Sequence, residues 1–215
     1  MPVPTKAATR IPRTAERGPI LADRQAIDRA VADRLPARYT FEIPRTIQRI
    51  RKLSAKHVGL QFPDGLTLYA TAIASILSEF TGVEVTILGD VVYGACCIDD
   101  LTSKQIGLDL SVHYGHSCLI PTDQTVVTTM YVFVDVAFSV DHFVETVELN
   151  VAPGSRVAIL GTIQFAKAFP AAKALLEARK YVVDIPRCKP LSPGEVLGCT
   201  SPTLDLATDF VYVFS

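Results

Sequence analysis

The sequence predicts an α/β fold built from repeated Rossmann-like modules with mostly parallel sheets. Short apolar runs with strand character alternate with segments whose apolar residues recur every three or four positions. Glycines punctuate the boundaries, as at Gly65, Gly82 and Gly89. The two halves of the ordered part also follow the same order: strand, helix, strand, and then a loop that carries glycine and cysteine.

The first 45 residues are predicted to be a disordered or partly helical tail. They contain several prolines among mixed charges. Within them, Asp23 to Leu35 has helical spacing and is expected to form one exposed helix, with Ile27 and Val31 on its apolar side. A second, basic helix is expected from Arg45 to Leu53.

The first α/β domain is predicted over residues 46–140. Its elements are, in order, a strand at 58–62, a helix at 64–81 capped by Asp64, a strand at 83–88, a helix at 99–107 capped by Asp99 or Asp100, a strand at 108–113 and a long strand at 130–138.

The second α/β domain is predicted over residues 141–215 and is expected to be incomplete. Its elements are a helix at 141–149, a strand at 157–160, an alanine-rich helix at 163–180, a strand at 181–185, a long loop at 186–202 and a last strand at 210–214. Ending a parallel sheet on that last strand leaves an apolar edge uncovered.

Composition excludes several classes of protein. The formal net charge is -1 and the pI is about 6.4, so no global basic field suggests nucleic-acid binding. No apolar run is long enough to span a membrane, and the N-terminus has no secretory signal. We therefore expect a cytoplasmic protein. In that reducing environment its five cysteines indicate metal or redox chemistry more than disulfides.

The most informative motif is GDVVYGACCIDD at residues 89–100. It follows a predicted strand and precedes a helix, which is where ligands bind in open α/β sheets. Gly94 and Ala95 are small enough to let a cofactor approach the backbone. Of the adjacent Cys96 and Cys97, only one is expected to be a ligand, and two buried structural cysteines are the alternative.

A second motif, HYGHSC at residues 113–118, also leaves the end of a strand. His113, His116 and Cys118, with Cys96, allow a zinc site, although the spacing matches no common zinc pattern. Histidines that line a polar pocket are the plainer interpretation.

The third motif is the loop at residues 186–202. Its Arg187 and Lys189 suit an anionic group. Gly198 and Cys199 place a thiolate beside accessible backbone amides, although a surface loop with one free thiol explains the same residues. The turn that ends in Gln164 offers amides that favour an anion.

The common nucleotide, zinc-protease and serine-hydrolase motifs are absent, as is the CxxxCxxC of ordinary radical S-adenosylmethionine (SAM) enzymes. The three motifs instead resemble the 2-(3-amino-3-carboxypropyl)histidine synthases of diphthamide biosynthesis, a noncanonical radical SAM family, and in particular their eukaryotic subunit 1. The resemblance covers roughly residues 45–214.

This resemblance implies three similar α/β domains that each give one cysteine to a [4Fe-4S] cluster. The cluster cleaves SAM, and a 3-amino-3-carboxypropyl group is transferred to a histidine of translation elongation factor 2. A related second subunit and a small iron protein that donates electrons are implied as partners. The resemblance implies neither a nucleic acid nor a membrane as a partner.

Carried over by motif, Cys96 and Cys199 are the implied metal ligands, and Gly94, Ala95, Gln164 and Gly198 are candidates for contact with the cofactor or co-substrate. Cys97, Cys118 and Cys188 are typical of the subunit without being implied ligands. The family's third domain and third cysteine are absent from this sequence. A C-terminally truncated chain is therefore expected, and a non-catalytic fragment that keeps the fold or binds the partner is the alternative.

Overall fold

The computed structural model describes residues 17–89, 98–117 and 119–215, with side chains from residue 23 onward. The helices are α1 Arg17–Arg34, α2 Ile43–Leu53, α3 Asp64–Thr67, α4 Ala70–Thr81, α5 Asp100–Gln105, α6 Val140–Asn150 and α7 Phe169–Ala178. The strands are β1 Tyr39–Thr40, β2 His57–Gln61, β3 Glu84–Leu88, β4 Leu110–Tyr114, β5 Thr129–Val132, β6 Asp135–Val136, β7 Arg156–Gly161, β8 Val182–Asp184 and β9 Phe210–Phe214.

Two parallel sheets confirm the predicted α/β class. The first has the strand order β3-β2-β4-β5 and the second the order β8-β7-β9. Each sheet has its own hydrophobic core. The first core draws on residues 27–134 and the second on residues 143–183, with Tyr212 and Phe214 packed against the second. Because the strands of each sheet run in parallel, their carboxyl ends gather at one edge, and the loops that leave those ends are neighbours.

Helix α1 is not the exposed helix that the sequence predicts. Ile27, Ala30 and Leu35 are buried in the first core. Polar contacts attach the helix to its neighbours as well, since Arg34 pairs with Glu79 of α4 at 2.8 Å. The expectation of exposure was wrong because a narrow apolar stripe among many charges is sufficient when two other helices cover it.

Helix starts separate confirmed predictions from wrong ones. Asp99 caps α5, and its carboxylate accepts the Thr102 N–H at 3.2 Å. Asp64 does not cap its helix, because it is the first residue of α3 and makes no capping bond. The predicted helix at 64–81 also divides into α3 and α4, and α7 begins six residues later than predicted, after a short 3₁₀ turn at Ala166–Ala168.

The long strand predicted at 130–138 is interrupted at Val134, which adopts a left-handed φ of 60°. β5 therefore ends at Val132, and the chain leaves the first sheet to form β6. β6 pairs with β1 in the antiparallel sense, with Tyr39 opposite Val136. This break sends the chain from the first core towards the second.

The last strand, β9, pairs with β7 and is left at the edge of the second sheet. Val211 and Val213 are 43% and 59% exposed. The apolar edge expected from the sequence is therefore present. Among the described residues, no helix has the length and apolar character needed to cross a bilayer.

Candidate functional site

The carboxyl ends of the two sheets are joined by one side chain. Gln164, in the turn after β7, donates its Nε2–H to the carbonyl oxygen of Gly115, directly after β4, at 2.5 Å. The backbone of Gln164 also takes part, because its carbonyl accepts the Val136 N–H at 3.0 Å. Gln164 therefore contacts both the end of the first sheet and the segment that connects the two cores.

Position 115 favours glycine for two reasons, its backbone conformation and the lack of room for a Cβ atom. Its φ is +81°, a left-handed value, and a Cβ atom at this position would lie 2.9 Å from the Pro63 side chain. The glycine thus lets the loop after β4 turn closely against the end of β2 and present its carbonyl to Gln164.

A buried polar pair lies at the end of the first sheet. His113 of β4 and Gln61 of β2 are adjacent in the register, and His113 Nδ1 lies 2.9 Å from Gln61 Oε1. The same oxygen accepts the Asp99 N–H at 3.5 Å. Gln61 therefore fixes both the histidine and the start of α5, the helix that follows the first cysteine motif in sequence.

The loop at residues 186–202 returns to the end of the second sheet. The Gly161 N–H donates to Gly194 at 2.9 Å, and the Val196 N–H donates to Gly161 at 2.9 Å, so Glu195 runs alongside the last residue of β7. This pairing places Glu195 close to the turn that carries Gln164.

Cys199 lies at the tip of a tight turn in that loop. Leu197 and Thr200 exchange two backbone hydrogen bonds, at 2.8 and 3.3 Å, which leaves Gly198 and Cys199 between them. Both are exposed, and no atom lies within 4 Å of the position that a Cβ on Gly198 would occupy. The Thr200 hydroxyl lies 3.7 Å from Cys199 Sγ and donates to it, an interaction that favours a thiolate or a metal-bound sulfur.

Three buried polar atoms near this junction have no hydrogen-bond partner among the described residues: Glu195 Oε1, Gln164 Oε1 and Ser117 Oγ. Glu195 is fully buried, and its other oxygen accepts the Ser192 N–H at 2.9 Å. Each unpaired buried group costs on the order of 1–3 kcal/mol. Two of the three are acceptors only, so the arrangement suits a ligand that supplies N–H or O–H donors.

Burial favours the neutral form of both histidines of the second motif. Burial lowers the pKa of His113 to about 4, and the nearby His116 contributes to the same shift. Burial also lowers the pKa of the half-buried His116, an effect that the carboxylate of Glu195 opposes. Glu195 therefore acts electrostatically on the loop after β4 as well as lying beside β7.

The family model for diphthamide synthesis proteins matches residues 62–214, which include the ends of both sheets, Gln164 and the Cys199 turn. The chain belongs to the diphthamide synthesis protein family. The second motif and the 186–202 loop thus lie within the matched region in the order that the resemblance requires.

Curated relatives support the same family. The chain is 51% identical over 187 residues to 2-(3-amino-3-carboxypropyl)histidine synthase subunit 1 of Nematostella vectensis, a match that covers 86% of the chain and 40% of the relative. It is 50% identical to the subunit 1 of Aspergillus fumigatus, over 92% of the chain and 45% of the relative. The chain thus spans less than half the length of these relatives.

Solved structures agree with the fold. The crystal structure of Dph2 from Pyrococcus horikoshii with a 4Fe-4S cluster matches with a TM-score of 0.70 and 25% identity, over 81% of this chain and 52% of that one. Another crystal structure of the same archaeal protein gives a TM-score of 0.67 and 27% identity. An iron–sulfur cluster is therefore known in a member of the family that shares this architecture.

Several residues predicted from the sequence lie outside the described part of the chain, namely Gly94, Ala95, Cys96, Cys97 and Cys118. Their assigned roles stay predictions. Within the described ranges, no group of three or more His, Cys, Asp or Glu residues could hold a metal ion. The zinc hypothesis also needs Cys96 and Cys118, which lie outside those ranges, so it stays a prediction; the ring centroids of His113 and His116 are 6.5 Å apart.

At the anion site expected at residues 161–164, the first two backbone amides already donate hydrogen bonds within the protein. The N–H of Gly161 donates to Gly194, and the N–H of Thr162 donates to Phe214. In the 186–202 loop, Arg187 is also engaged, through its Nε–H, with the Leu191 carbonyl at 2.9 Å. These groups hold the loop and β9 in place.

Sequence reasoning missed Glu195 and Gln61. A glutamate inside a loop is expected to be exposed to solvent, and a glutamine at the end of a strand belongs to no catalytic motif. The available signal for Gln61 was position, because it stands at the carboxyl end of a strand, where polar side chains gather in parallel sheets.

His113 makes a testable contribution to stability. The pKa of His113 is about 4 in the folded state, against 6.5 for an ordinary histidine. Between these two pH values the unfolded chain binds a proton at His113 and the folded chain does not. The free energy of unfolding should fall as the pH drops from 6.5 to 4, by about 3 kcal/mol in total from this residue. Urea unfolding of wild type and His113→Asn across that range measures this effect. An equal pH dependence of the free energy of unfolding in the two proteins would refute the contribution of His113.

Proposed function

We propose that this chain carries part of the synthase that performs the first step of diphthamide biosynthesis. In that step a 3-amino-3-carboxypropyl group passes from SAM to a histidine of translation elongation factor 2. The supporting observation is the family match together with the Cys199 turn, an exposed thiol that receives a hydrogen bond beside the carboxyl end of a parallel sheet. The chain spans less than half the length of its curated relatives, and we propose that it contributes to the activity of the whole protein.

The residues around Cys199 fit one ligand position of an iron–sulfur cluster. The thiol is exposed, Gly198 leaves open space next to it, and Thr200 can tune the sulfur. Cys96 is proposed as a second ligand on the strength of the motif. When bound, a [4Fe-4S] cluster supplies the electron that cleaves SAM.

The protein's own role is to hold the co-substrate. SAM carries an α-ammonium group and ribose hydroxyls, which are the kind of donors that Glu195 Oε1 and Gln164 Oε1 lack within the part of the chain that the structure describes. We place the donor-bearing groups of SAM against these acceptors. Burial strengthens such contacts, because a carboxylate in a low-dielectric site attracts an ammonium more strongly than it does in water.

The second synthase subunit, elongation factor 2 as protein substrate, and a small iron protein as electron donor are proposed as partners in the cytoplasm. A second candidate function is a non-catalytic module that keeps the fold and binds the partner subunit. An assay with SAM labelled in its carboxyl group, run with the second subunit present, separates the two candidate functions by measuring label transferred onto elongation factor 2. Label on the factor supports the synthase, and its absence despite a stable complex supports the binding module.

The Cys199 assignment predicts a loss of iron. Cys199→Ala, co-expressed anaerobically with the second subunit, should retain much less iron than wild type, because a thiolate ligand is removed. Cys188→Ala is the matched control, since Cys188 is a half-buried cysteine of the same loop that donates to the Lys189 carbonyl. Iron content equal to wild type in Cys199→Ala would refute its role as a ligand.

The Glu195 assignment predicts weaker binding of SAM. Glu195→Gln keeps an acceptor for Ser192 but removes the charge, so the loss of a charge-assisted hydrogen bond should weaken binding roughly 10- to 100-fold. Glu84→Gln, at an exposed site on β3, is the control. Isothermal titration with SAM provides the measurement, and equal affinity of wild type and Glu195→Gln would remove Glu195 from the site.

A further inference from the structure

A basic groove lies on the first domain, apart from the site described above. It runs between helix α2 and strand β5 and has a volume of about 500 Å³. We call it the α2 groove and define it by its lining: Arg45, Gln48, Arg49, Lys52, Thr122, Thr129, Met130, Tyr131 and Phe133. No carboxylate of the described residues lines it, although the chain as a whole is nearly neutral.

The three cations come from a single helix face. Arg45, Arg49 and Lys52 stand at positions i, i+4 and i+7, which align along one side of a helix. The opposite side of α2, with Ile43, Ile47 and Ile50, is buried in the core. The core thus fixes the orientation of the helix and turns the cationic side towards the groove.

Two of these cations have no counter-charge within the described part of the chain. Arg45 pairs with Glu42, whereas Arg49 and Lys52 have no ion pair there. Some other cations are compensated, since Arg51 of the same helix pairs with Asp23 at 2.5 Å and Arg179 pairs with Glu148 at 2.9 Å. The groove therefore gathers, on one helix face, two cations without an ion pair among the described residues.

The floor of the groove is already ordered. The Tyr131 hydroxyl donates to the Ile120 carbonyl at 2.8 Å, and the Thr129 hydroxyl donates to the Val127 carbonyl at 3.0 Å. Both residues are buried on β5. A ligand would thus meet a preformed surface and lose little free energy to ordering it.

We propose that the α2 groove binds the phosphate groups of a small polyphosphate ligand. Guanidinium and ammonium groups are the side chains that bind phosphate, and a diphosphate concentrates several negative charges and acceptor oxygens within a few ångströms. The volume falls in the range of small-molecule sites, about 300–1,000 Å³. SAM is not the ligand of this groove, because its sulfonium and ammonium groups would meet cations.

The test uses inorganic pyrophosphate as the probe and the whole chain in isothermal titration. Wild type should bind, and Arg49→Glu/Lys52→Glu should weaken binding at least roughly tenfold. Arg49→Gln/Lys52→Gln, which removes the charge without adding a new one, should give the same direction of change and guards against a folding defect. Arg29→Glu/Lys104→Glu is the matched control, because it changes the net charge equally at two exposed sites away from the groove.

The ligand source follows from a second probe. A nucleoside diphosphate that binds more tightly than pyrophosphate would assign the groove to nucleotides, and equal affinity would assign it to the phosphate groups alone. Absence of pyrophosphate binding, or equal binding by all variants, would overturn the proposal. Binding of an acidic peptide but not of pyrophosphate would also overturn it, in favour of a protein partner.

Discussion

The hydrogen bond between Gln164 and the Gly115 carbonyl is the constraint on which the site depends. It joins the carboxyl edge of one parallel sheet to the turn that leaves the other. The pairing of β6 with β1 and the bond from Val136 to Gln164 act in the same direction. Without this joint, Glu195 and the Cys199 turn would belong to one domain and the histidine loop to the other. The proposed co-substrate site would then not form.

Among the described residues, two buried acceptors beside this hydrogen bond, Glu195 Oε1 and Gln164 Oε1, have no partner, which fits a site that is completed by a ligand. An acceptor without a partner destabilises the free chain, because it loses the hydrogen bond that water supplies in the unfolded state. A ligand with donor groups recovers that free energy on binding. The α2 groove has the opposite character, since its described lining includes cations without an ion pair and no carboxylate. The molecule thus separates an acceptor-rich site from a cationic one, and the two suit different ligands.

Much of the fold could be predicted from the sequence because buried parallel strands and helix faces have clear periods. The order of strands and helices, the Asp99 cap and the apolar edge of β9 all follow from local pattern. The break at Val134 could not be predicted, because a left-handed valine has no local signal and is imposed by the chain's passage between two cores. Glu195 could not be predicted for a similar reason, since its burial results from backbone pairing with Gly161, which is distant in sequence. The Cys199 loop was recognised by its motif, which periodicity alone does not show.

Calorimetry of the wild-type chain tests the central claim, that the two sheets form one structural unit at their carboxyl edges, most directly. If the joint couples the cores, heating should give a single transition whose calorimetric and van't Hoff enthalpies agree. Two separate transitions, one for each core, would contradict the account, because the acceptors of the second sheet would then not be held against the loop of the first.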